Sequence, residues 1–164
     1  AVFGVLAMQF DFTAEEIECL PICDLEGLVH VLWLKMLCER CPEQITGKRF
    51  VTWCDNQAFV GAVNEHRSNK PTLAFLLEMM HELMARYSFD VRINFVASED
   101  NVAADAASRG EWSRFYAYMQ ETGGVAKSDI VMLPVQEHAR SLWSLKLRSM
   151  RTLQGRMTQS QERV

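Results

Sequence analysis

The sequence predicts an α/β domain, and three observations carry that expectation. Short apolar runs rich in β-branched and aromatic residues, at 2–8, 50–54 and 89–97, are interleaved with longer segments of helical periodicity. Two of those runs stop at polar, acid-containing stretches, Asp55-Asn56 and Ser98-Glu99-Asp100-Asn101, and a helical pattern opens directly after each. The chain has 164 residues, 49% of them apolar and 23% charged, which suits one domain with a sizeable core and some length left for an extension.

Taken in order, residues 2–8 with Phe10 and Phe12 read as two strands joined by a turn near Gln9–Asp11, an antiparallel hairpin. Glu15, Glu16 and Glu18 make a polar connection that ends at Pro21. Asp24 is a candidate N-cap. The spacing of Leu25, Leu28, Val29, Leu32, Trp33, Met36 and Leu37 predicts a helix packed on a sheet, running to about Cys41 and stopping before Pro42. Glu26 falls in its first turn on nearly the buried side, where a carboxylate needs a partner.

Phe50, Val51, Trp53 and Cys54 predict a buried strand after Gly47. Either Asp55 or Asn56 can cap the helix that begins at Gln57. The polar loop His66–Pro71 follows, and Thr72 opens a long helix with Leu73, Leu76, Leu77, Met80 and Leu83, its methionines acting as core filler. Residues 89–97 alternate as a half-buried strand. Residues 102–109 then open a helix whose alanines let it approach a sheet closely and bring Asp105 with it.

Charge is unevenly placed. Residues 125–164 hold seven Lys/Arg against three acids, a net of +4, so with −4 overall residues 1–124 carry −8. An acidic body argues against a broad nucleic-acid-binding face but permits clustered metal-binding carboxylates, while the basic tail reads as a solvated helix able to touch phosphates or an acidic partner. Cys19, Cys23, Cys38, Cys41 and Cys54 are an odd number in a domain with its own core, which favours reduced thiols and an intracellular compartment. A zinc reading of their spacing fails on geometry, because a helix of about 14 residues would hold the two pairs roughly 20 Å apart. No apolar run approaches the roughly 18 residues of a membrane helix, so no membrane partner is expected. The abrupt apolar start at Ala1 suggests a fragment or a processed product.

Three acids, Glu26, Asp55 and Asp105, each stand at the start of a helix or the end of a strand that an α/β sheet would bring to one edge, where ligands bind. The runs CDLEGL, TWCDNQAFVGAVN and SEDNVAADAASRG that carry them resemble the ribonuclease H domains of retrotransposon polyproteins, particularly gypsy-like and tyrosine-recombinase elements. The resemblance covers about residues 2–116. It implies an RNase H-like mixed sheet flanked by helices, with Glu26, Asp55 and Asp105 as catalytic metal ligands and Asn56, Asn101 and Ser108 as caps or supporting groups. Hydrolysis of a phosphodiester wants an activated water and a neutralised leaving oxygen, which two Mg²⁺, or Mn²⁺, supply through oxygen ligands.

The family's fourth acid sits at the end of a central strand upstream of residues 2–8, and the chain starts after it. Asp11 does not replace it. The apolar run 130–135 is a poor substitute as well, because Pro134 cannot donate to a central ladder and no aspartate follows. The expectation is therefore an N-terminally truncated RNase H-like domain at 1–124 and a basic, mainly helical C-terminal extension at 125–164. Its implied activity is cleavage of the RNA strand of an RNA–DNA hybrid, with an inactive structural or interaction subunit as the alternative and another nuclease or integrase on the same fold as a more distant one. A partner polypeptide would supply the central strand or cover the tail helix.

Overall fold

The computed structural model describes residues 5–133. The expected tail helix from Val135 onward lies outside the described residues. Those residues form a helix-rich α/β fold in the order β1 (Val5–Met8), α1 (Ala14–Cys19), α2 (Ile22–Arg40), α3 (Pro42–Ile45), β2 (Arg49–Cys54), α4 (Gln57–Glu65), α5 (Pro71–Tyr87), β3 (Asp90–Phe95), α6 (Val102–Ser108), α7 (Trp112–Gly123), a 3₁₀ turn (Lys127–Asp129) and β4 (Ile130–Leu133).

The centre is the crossover β2–α4–α5–β3. Its strands pair in parallel, Phe50 opposite Val91 and Cys54 opposite Phe95. Strand alternation turns Phe50, Thr52 and Cys54 with Val91 and Ile93 to one face, where α2, α4 and α5 lie. Leu28, Val31 and Leu32 of α2, Phe59 and Val63 of α4, and Leu73, Leu76, Leu77 and Met80 of α5 fill the space between them. Gly27 is buried at the narrowest point: a Cβ there would come within 2.8 Å of Phe59 and 3.1 Å of Leu76. The opposite face of β2 carries Val51 and Trp53, which stay 48% and 61% exposed.

The expected hairpin is absent among the described residues. Only β1 of the two predicted strands forms, and residues 14–19 fold as α1 instead. The local reason is a capping box: the Thr13 hydroxyl accepts from the Glu16 N–H at 3.2 Å and the Glu16 carboxylate accepts from the Thr13 N–H at 2.7 Å. Nor is the sheet mixed, since both strand pairs are parallel and no antiparallel pairing occurs among the described residues. The partner of β1 is β4, with Val5 opposite Ile130 and Met8 opposite Leu133. That apolar run pairs with β1 alone among the described residues and does not stand between β1 and β2, so it does not take the place of the central strand there.

Candidate functional site

The two carboxylates Glu26 and Asp55 are brought together by a hinge of buried polar contacts. Asp55 follows the last residue of β2, at the carboxyl end of the parallel pair, where Val96 N–H still donates to Cys54 C=O at 3.2 Å. The next residue, Asn56, is 5% exposed and is the cap of α4, its side-chain oxygen accepting from Phe59 N–H at 3.1 Å. Its amide nitrogen donates to Cys23 C=O in the first turn of α2. One side chain therefore fixes the N-termini of α2 and α4 against each other and holds Glu26, one turn along α2, beside Asp55. Asp24, expected to cap α2, lies inside the first turn and is buried, while Pro21 is the N-cap.

Burial pushes the Glu26 carboxyl above its ordinary range, and the charge of Asp55 pushes it further. A carboxylate so placed is unfavourable when ionised and gains from a cation beside it. His30, one turn beyond Glu26 on α2, extends the same line: its Nε2 lies 3.0 Å from the Thr52 hydroxyl of β2 and its ring packs 5.6 Å from that of Phe59. Burial lowers its pKa from 6.5 to about 4, so the ring is neutral at physiological pH. His30 was not anticipated from the sequence, although its position four residues after Glu26 on a predicted helix places both on one face.

Asp105 is held differently. Its carboxylate accepts from Arg109 Nε at 2.8 Å and from Arg114 Nη1 at 3.2 Å, and Arg114 also binds Glu111 at 3.0 Å. The hydrogen bond from Arg109, with the charges of both arginines, keeps Asp105 below the usual carboxylate range. Ser108 donates to the Asp105 carbonyl at 2.8 Å, and Asn101 is the N-cap residue of α6 without a side-chain capping bond. Among the described residues no three His, Cys, Asp or Glu converge as a metal-holding group. The oxygen-only donor pair Glu26 and Asp55 fits a hard divalent cation; Asp105, with both oxygens taken by guanidinium groups, does not fit as it stands.

The thiols are not candidates for this site. Cys23, Cys38, Cys41 and Cys54 are free, and burial raises the pKa of Cys23, Cys38 and Cys54, that of Cys38 to about 11, which leaves them protonated. No described helix is long and apolar enough to cross a membrane. No family model, curated protein or solved structure matches the chain.

Proposed function

We propose that this chain carries the larger part of an RNase H-type nuclease site that cuts the RNA strand of an RNA–DNA hybrid, with Glu26 and Asp55 as its working carboxylates. The observation that supports this reading is their placement: two acids from separate elements, one of them burdened by burial and by its neighbour's charge, at the carboxyl edge of a parallel strand pair. A purely structural role explains such a pair poorly, because among the described residues no cation forms an ion pair with either one and their repulsion disfavours the ionised state.

In this reading Glu26 and Asp55 hold Mg²⁺, which when bound supplies an activated water and neutralises the leaving oxygen. The acid on the family's preceding central strand would join them, and Asp105 would contribute after exchanging Arg109 and Arg114 for the cation. Asn56 keeps the two carboxylates in register by locking α2 to α4. Discrimination of RNA from DNA would rest in part on the 2′-OH.

The Asp105 clamp favours a second reading, in which the fold is kept as an interaction subunit and the arginines permanently neutralise the acid. A labelled RNA–DNA hybrid incubated with Mg²⁺ and the chain preceded by a strand that ends in aspartate separates the two. Cleavage that Glu26→Gln and Asp55→Asn both abolish supports the nuclease, the more so if Glu26→Gln at neutral pH melts no lower than wild type, as removal of a burdened charge requires. Hybrid binding without cleavage favours the subunit. If the hybrid neither binds nor is cut, the nuclease reading fails.

A further inference from the structure

A second cluster of chemistry-bearing side chains stands away from Glu26 and Asp55, at the end of α4. His66 is the C-cap of that helix in the left-handed region, at φ 54°, where its N–H donates to the carbonyls of Ala62 and Val63. The cap fixes the backbone from which the ring projects. His81 lies on the exposed face of α5, between the solvent-facing Glu78 and Glu82 and opposite the stripe Leu73, Leu76, Leu77 and Met80 that anchors the helix in the core. Both rings therefore rise from backbone that the fold holds rigidly.

His66 Nδ1 and His81 Nε2 are 3.1 Å apart, with ring centroids at 5.4 Å. They border an open groove of about 680 Å³ whose other polar walls are Arg67, Ser68, Glu78 and Glu82, with the Arg67 guanidinium already engaged by Glu65 at 3.2 Å. Two imidazole nitrogens bound to one zinc ion at about 2.0–2.1 Å stand roughly 2.9–3.4 Å apart, so the observed separation is a chelating bite.

We propose that His66 and His81 form a two-nitrogen binding site for a borderline divalent transition ion, Zn²⁺ or Cu²⁺, with water filling the positions that face the groove. The ligand type selects these ions over Mg²⁺, because neutral imidazole is a nitrogen donor. In the metal-free pair one proton lies between the two nitrogens. On binding, that proton passes through solvent to the remote nitrogen of its own ring, so both facing nitrogens present lone pairs and both rings stay neutral. Each ring turns slightly to converge its lone pair, a movement that displaces only water at these exposed positions.

The test is calorimetric titration of the full chain with Zn²⁺ alone at pH 7.5, in wild type, His81→Gln and His66→Asn, the last chosen because asparagine accepts the left-handed cap. The expected result is one ion bound at pH 7.5, weakened about tenfold or more by either substitution, with unchanged circular dichroism. Nitrogen hyperfine structure from two imidazoles in the Cu²⁺ electron paramagnetic resonance spectrum, reduced to one in each variant, identifies the ligands independently. Titrations that coincide in wild type and both variants would place any bound zinc elsewhere, for instance on thiols, and overturn the proposal. Absence of binding at pH 7.5 does the same.

Discussion

At the scale of single residues, the strongest physical anomaly is a neutral histidine under the sheet. Among the described residues His30 has one polar partner, the Thr52 hydroxyl, and burial lowers its pKa from 6.5 to about 4. Between those values the unfolded chain binds a proton that the folded chain refuses, so stability falls as pH drops from 6.5 toward 4 and this group adds nothing further below that. The full loss is about 3 kcal/mol. Denaturant melts of wild type and His30→Gln at intervals from pH 4 to pH 7 check it: the variant's stability should vary less steeply across this window, since glutamine keeps a bond to Thr52 and has no proton to gain. Parallel curves would mean that His30 is hydrated and ordinary. Because the ring sits one turn from Glu26, the same experiment reports how dry the neighbourhood of the candidate site is.

At the scale of elements, what the sequence made legible and what it hid have separate causes. The helices α2, α4 and α5 and the strands β2 and β3 were readable because each carries a long, clean period: Leu25, Leu28 and Leu32 for a helix, Val91 and Ile93 for a strand. The cap at Asn56 was readable as one of two candidates, and only the contact to Cys23 C=O shows why asparagine is required, since an aspartate there has no N–H to donate. Helix α1 was hidden because Phe10 and Phe12 mimic strand alternation, although Thr13-Ala14-Glu15-Glu16 held the capping-box signal. The partner choice of β1 was hidden for a different reason: a four-residue strand carries too little pattern to specify whether its neighbour comes from 10–12 or from 130–133. Asp105 was placed on its helix correctly, but a linear reading gives no weight to Arg114, nine residues on and one helix away. The close approach of α2 to α4 and α5 also belongs to this scale. Gly27→Ala gains helix propensity but drives a methyl into Phe59, which is fully buried and has no room to move, so it should destabilise by about 1–3 kcal/mol in chemical denaturation. A neutral or stabilising outcome would show that α2 can slide, and with it Glu26 relative to Asp55.

At the scale of the whole molecule, the layers are unequal. Three helices cover one face of the β2–β3 pair, while the other presents Val51 and Trp53 to solvent beside the cross-strand pair Arg49 and Asp90 at 3.1 Å. Parallel sheets are ordinarily covered on both faces, and β2 pairs with β3 alone among the described residues. A face so composed distinguishes two situations by its response to polar substitution. Replacing Val51 and Trp53 together by threonine keeps β-propensity and removes apolar surface that, as described, is already in water. The change should therefore leave the unfolding free energy within about 1 kcal/mol of wild type while reducing concentration-dependent association in sedimentation velocity. A loss of about 3 kcal/mol or more would instead mean that both side chains are buried in solution, because only covered aromatic and branched residues cost that much to remove. The dependence of that loss on protein concentration then identifies the cover: a second copy makes it shrink on dilution, as mass action requires, whereas a segment of the same chain leaves it constant.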